Sequence, residues 1–137
     1  MIAEPSLALQ KAIRRALVTS ADVTNLVPAR SIIDGMRRPD DFPSIIIGDG
    51  QTVNEGLNFS RSMIRVHLDL HTWTKGEALA DTKQIVGAVT AALDEEPAVE
   101  GVELVDFLLS GTRYLRDPSG EFGHAVVSVE ALVEVRT

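Results

Sequence analysis

The chain has no cysteine. Disulfide staples, thiolate catalysis and cysteine-based zinc centres are excluded with it. Positive charge is also short. Thirteen Lys and Arg against twenty Asp and Glu leave a formal net charge of −7. Wrapping nucleic acid needs clustered basic residues to neutralise phosphates, so the charge speaks against that class. An acidic wall does let DNA pass without sticking. The basic clusters present are local: Lys11, Arg14 and Arg15, and the pair Arg37 and Arg38. No apolar run approaches the ~20 residues of a membrane span. Met1 to Pro5 lacks the basic region and apolar block of a signal peptide. A soluble intracellular protein with no membrane partner is expected. A Gly-x-Ser-x-Gly nucleophile elbow is missing. Gly48-Asp49-Gly50 is no phosphate loop, because no helix opening on Lys-Ser/Thr follows it.

What is present reads as one domain, 1–137, long enough to bury a core without staples. Pro5 and Ser6 open a helix capped by Glu4 or Ser6, with Leu9, Ala12, Ile13, Ala16 and Leu17 on one stripe. A short turn at Ser20–Leu26 follows, and Pro28 argues against further helix. Arg30–Asp34 reads as a short strand. Residues 35–43 form a charged loop with two prolines. Ser44–Gly48 is an apolar strand covered on both faces. Asp49–Ser60, rich in Gly, Asn, Gln and Ser, reads as a mobile loop or ragged hairpin tip.

The central strand, about Arg61–Thr74, is the clearest element. Ile64, Val66, Leu68 and Leu70 alternate with Arg65, His67, Asp69 and His71, the period-two pattern of a strand with one buried face. A helix is expected over Gly76–Leu93. Thr74 and Glu77 have the spacing of a capping box. Val102–Arg116 and Phe122–Val135 form a long hairpin with an irregularity at Ser110-Gly111. Asp117-Pro118-Ser119-Gly120 fits a type I turn. The order gives an α+β fold: a mostly antiparallel sheet with two main helices packed on one face.

His67, Asp69 and His71 are the one constellation of ligand types. Alternate strand residues lie about 6.5–7 Å apart, near enough to share an ion if a further ligand or water completes the site. Nothing in the sequence brings His124 or Asp106 to it. The plainer reading is the polar face of a half-buried strand, and no metal, cofactor or catalytic residue is assigned. The paired carboxylates Asp40/Asp41 and Glu95/Glu96 lie in loops, where adjacent acids are ordinarily just solvated. Trp73, the only tryptophan, reads first as packing at the strand-to-helix junction and second as an interface anchor. Arg37, Arg38 and Phe42 form a charged loop with one aromatic, which reads equally as a partner-binding surface and as a plain solvated loop.

Several short segments, in order and spacing, are similar to one family. They are Pro5-Ser6-Leu7-Ala8-Leu9-Gln10, Val23 with Leu26-Val27, and Arg30-Ser31-Ile32. Phe42-Pro43-Ser44-Ile45-Ile46-Ile47-Gly48 and His71-Thr72-Trp73-Thr74 with Gly76-Glu77 come next. Leu115-Arg116-Asp117-Pro118-Ser119-Gly120 with His124 closes the set. Together they resemble the tail terminator or tail completion proteins of long-tailed phages and gene transfer agents. Thr74 and Ser44 depart from the residues frequent in that family, which brings no catalytic group to transfer. The resemblance implies a subunit that assembles with itself, as a hexameric ring, on the head-proximal end of a tail tube. The tube protein and a head-side connector would be its partners, DNA would pass its lumen without specific binding, and the place would be a virion or particle tail assembled in the host cytoplasm. A ring of heterologous contacts needs two different faces per subunit. The candidate contact residues on the two loops and the junction are Arg37, Arg38, Phe42, Asn54, Asn58, Phe59 and Trp73. A different neck component, and an enzyme using the His67, Asp69, His71 face, are the competing readings.

Overall fold

The computed structural model describes residues 4–35, 38–57, 61–76 and 79–136. Helix α1 spans Pro5–Val18, with Pro5 in its first turn. The Glu4 carboxylate caps it by accepting from the Leu7 N–H at 2.7 Å. Leu9, Ala12, Ile13 and Leu17 are its buried stripe. Ser20 caps a second short helix, α2, Ala21–Thr24, where the sequence suggested only a turn. Pro28 precedes one 3-10 turn, Ala29–Ser31. Proline is tolerated there because the first turn needs no N–H from it. Arg14 ties α1 to this region, donating to the Ile32 carbonyl at 2.9 Å and to the Ala29 carbonyl at 3.4 Å.

Five strands form one sheet in the order β1-β2-β3-β5-β4. They are β1, Ile32–Asp34; β2, Ser44–Leu57; β3, Arg61–Lys75; β4, Glu103–Arg116; and β5, Phe122–Arg136. The β1–β2 pair is parallel and the other three are antiparallel. Helix α3, Ala80–Ala92, buries Thr82, Ile85, Val86 and Val89. Helix α1 lies over β1–β3, and α3 over β3 and β5, on the same face. That face carries the core: Ile45 and Ile47 from β2, Val66, Leu68 and Leu70 from β3, and the alternating Ala125–Val133 series from β5. At about 1.5–3 kcal/mol per fully buried aliphatic side chain, this cluster is the main source of stability.

Two expectations need correction. Residues 49–57 are not a loop but the second half of β2, paired along β3 as far as Leu57 with Ser62. A polar, glycine-rich segment has little strand propensity of its own, but β3 offers it a continuous ladder, and such context overrides propensity. Bulges between Ile47 and Gly50 and between Asn54 and Gly56 absorb the misfit. Residues 58–60 of that expected loop lie outside the described residues. Thr74 is also no helix cap. It stays in β3, 3% exposed, and its hydroxyl meets that of Thr82 at 2.6 Å. The helix starts later, after Leu79, with no side-chain cap. Glu77 lies outside the described residues. The two threonines meet because position 123 is glycine, where a Cβ would come 2.5 Å from Thr82 Oγ1 and 2.6 Å from Thr74 Oγ1.

The hairpin between β4 and β5 follows expectation. The Gly120 N–H donates to the Asp117 carbonyl at 2.9 Å, closing the four-residue turn. The suspected irregularity at Ser110-Gly111 is a bulge, and a second lies between Leu104 and Asp106.

Candidate functional site

The helix-free face of the sheet carries the polar residues. Along β3 it presents Arg65, His67, Asp69, His71 and Trp73, all half-buried rather than solvated. Cross-strand pairing explains this. Each of these residues lies beside β5 on one side and β2 on the other, so neighbouring side chains shield it.

The three candidate metal ligands do not converge. His67 sits between Gln51 and Glu130 in the register. The Asp69 carboxylate accepts from the Ser128 hydroxyl at 2.9 Å. His71 turns the other way, and its Nδ1 lies 2.8 Å from His124 Nε2. Among the described residues, no group of three His, Asp or Glu side chains is placed to hold a metal ion. Asp106 is on β4, where its carboxylate accepts from the neighbouring Phe107 N–H at 3.0 Å.

His124 is the residue that sequence reasoning could not place. The β3–β5 register sets it opposite Trp73. The two rings stack at 3.9 Å with 8° between their planes, and the His71 ring lies 5.1 Å from that of His124 at 23°. Position 48 must be small for this to happen, because a Cβ there would come 2.8 Å from His71 Cδ2. Burial first, then the charges of His71 and Arg113, pushes the His124 imidazole down to about 4, with Asp117 opposing. His124 is therefore neutral near pH 7, and in the pair one imidazole nitrogen donates while the other accepts. The histidine contact ties β3 to β5 at this end of the sheet.

The loop before β2 folds over this end of the face. Phe42 stacks on Phe122 at 4.8 Å. The Arg38 guanidinium lies 4.2 Å over the same Phe122 ring and 3.8 Å from the Asp117 carboxylate. The Ser119 hydroxyl and N–H donate to Asp117 and hold its carboxyl below the usual range. Arg38, Gly48, Asp49, His71, Trp73 and His124 border a cleft of about 180 Å³. That is smaller than the roughly 300–1,000 Å³ of a typical ligand pocket. Two more open concavities also border Arg38, one of them reaching Phe42 and Phe122.

Three of the sequence-based contact residues, Arg38, Phe42 and Trp73, thus gather at one end of the sheet. Phe42 and Trp73 are held by their own chain rather than presented bare. Asn54 is exposed in the far half of β2, opposite Ile64. That is nine strand residues from Trp73 along β3, roughly 30 Å. Arg37, Asn58 and Phe59 lie outside the described residues. At Asn54's end of the face, Arg65 bridges Glu55 at 2.6 Å and Glu130 at 3.2 Å, and the Glu55 hydrogen bond raises its pKa above the ordinary value.

The family model of tail completion protein gp17 matches residues 11–134. A chain from the virion of a native gene transfer agent particle has the same fold, with a TM-score of 0.80 at 18% identity, over 92% of this chain and 94% of that one. The gp17 protein of bacteriophage SPP1 aligns with a TM-score of 0.60 at 23% identity, over 93% of this chain and 89% of that one. At such identities the likeness carries the fold alone. No curated protein matches. No helix among the described residues is long and apolar enough to cross a membrane. With the α+β sheet, a family match over nearly its whole length makes this chain a member of the tail completion protein gp17 family, a structural component of phage-type tails.

Proposed function

We propose that the chain caps the head-proximal end of a phage-like tail tube as a homo-oligomeric ring, taken to be six-fold. The ring ends tube polymerisation and offers the head-side connector a joining surface. The observation that carries this reading is the family match over residues 11–134. The polar face supports it. Arg65, Asp69, His71 and Trp73 on it are paired within the chain, as suits a wall or contact surface rather than a catalytic centre. The net charge of −7 suits a conduit that DNA crosses without specific binding. Arg38, with the aromatic cluster of Phe42, Phe122 and Trp73 beside it, is the contact surface for a neighbouring tail or connector subunit. Light scattering on the chain, alone and mixed with its tube protein, tests the ring. A species near six subunits is expected. A strict monomer with the tube protein present contradicts the reading.

A further inference from the structure

The sheet has two uncovered edges, and they match. β1 covers β2 only as far as the Asp34–Ile47 pair. Beyond it, among the described residues, the outer edge of β2 has no strand partner through Leu57. At the opposite side of the sheet, among the described residues, β4 pairs only with β5, which leaves its outer edge open along Glu103–Arg116. An open edge is a row of unpaired N–H and C=O groups, ready to take another strand.

The two edges lie at the same height along the strands. Gly50 pairs with Leu68 and Leu57 with Ser62. Leu109 reaches Leu68 through Val129, and Glu103 reaches Met63 through Glu134. Both edges are also bulged at corresponding heights. The regular stretch of β2 runs from Gly50 to Asn54, opposite Leu68 to Ile64. The regular stretch of β4 runs from Asp106 to Leu109, level with Arg65 to Leu68.

Their chemistry agrees as well. Natural sheets blunt exposed edges with charged side chains, lysine above all, with proline and with bulges, and of these the two edges carry bulges and the acids Glu55, Glu103 and Asp106. Residues 50–57 and 103–109 contain no Lys, Arg or Pro. Val53 and Leu108, each 39% exposed, both project from the helix-free face. Val105, at the β4 bulge, is 49% exposed. Glu55, the acid on the β2 edge, is already neutralised by Arg65.

We propose that the outer edge of β4, residues 103–109, in one copy pairs with the outer edge of β2, residues 50–57, in a second copy; beyond the Leu109–Gly111 bulge β4 parts from its neighbour, whose β1 covers β2 there. The proposal rests on the ring reading and supplies its two faces. Three antiparallel steps separate β2 from β4, so the two run in opposite directions. Laying one copy beside the next in the same orientation makes an antiparallel ladder. A closed ring adds no net rise per subunit, so with the strands along the ring axis the segments at equal height meet. The contact is heterologous, which lets it close around a ring rather than stop at a dimer. Gln51 of one copy then lies opposite Leu108 of the next, and Val53 opposite Asp106, on the helix-free face.

The absence of cysteine makes a direct test available. Within one chain the two edges are three strand spacings apart, about 14 Å, too far for a disulfide, which needs Cα atoms within roughly 7 Å. The double variant Gln51→Cys, Leu108→Cys, both level with His67, oxidised in the presence of the tube protein, should give a covalent ladder rising to the full ring number. Either single variant should give none. Leu108→Lys should abolish the oligomer while leaving the urea midpoint of the monomer unchanged. An oligomer that persists in Leu108→Lys, with no ladder from the double variant, overturns the edge pairing and leaves the ring standing. Dimers from Leu108→Cys alone, as abundant as the ladder, also overturn it by indicating a two-fold β4–β4 contact. If the unaltered chain forms no oligomer with the tube protein, both readings fall.

Discussion

The two faces of β3 do different work with alternating residues of one strand. Val66, Leu68 and Leu70 face the helices and are buried by shape, in a cluster of aliphatic side chains. Arg65, Asp69, His71 and Trp73 face away and are half-buried by pairing, each against a specific neighbour. The difference is one of energetics. Apolar burial adds up over area, whereas each polar pair returns only about 1 kcal/mol because it replaces hydrogen bonds to water. The helix-packed face therefore holds the fold, and the other face is free to be shaped by what it must contact.

The largest expected effect sharpens that contrast. Leu70→Ala, at a fully buried position, should cost about 2–5 kcal/mol by removing methyl groups and leaving a cavity. Its neighbour His71→Ala should cost less than about 2 kcal/mol, since it deletes one hydrogen bond and some ring contact. Urea unfolding of the two variants measures both. A larger loss for His71→Ala would reverse the assignment of the faces.

Gly123→Ala should cost about 1–3 kcal/mol, because the new methyl group drives apart the buried Thr74–Thr82 hydroxyl pair. Should it be neutral, the close approach of β5 to α3 is not as described. The same measurement against pH probes the other face. An unfolded chain protonates His124 near 6.5, while the folded chain resists until about 4. Between those values the unfolded state binds more protons, so stability is complete above about 6.5 and falls as pH drops towards 4. His124→Gln should flatten that part of the profile. The smallest effect has the opposite sign. The Thr72 hydroxyl is buried without a hydrogen-bond partner among the described residues. Thr72→Val should raise stability by up to about 1 kcal/mol, seen as a later urea midpoint.

Much of this was legible in the sequence where the determinant is local. The β3 and β5 alternations, the α1 stripe and the Asp117–Gly120 turn are written in residues a few positions apart, and the structure reproduces them. What was misread depends on partners far along the chain. Residues 49–57 carry loop-like composition and become strand only because β3 extends beside them. Thr74 has the residue type and spacing of a cap, yet Thr82 claims its hydroxyl. His71 reads as one of three possible ligands until the β3–β5 register brings His124, 53 residues later, to within 2.8 Å. No local pattern encodes that register. The contact residues fared similarly. Arg38 and Phe42 read as parts of one loop and Trp73 as a separate junction residue, and only the fold shows that all three share one end of the sheet, around Phe122 and His124.

The account stands or falls on what this chain does at the end of a tail. Electron microscopy of particles produced without it measures that directly. Capping the head-proximal end predicts overlong tails and tails without heads. Joined particles with tails of normal length would contradict the account. Filled heads lacking tails, beside free tails of normal length, would move the chain to the neck instead.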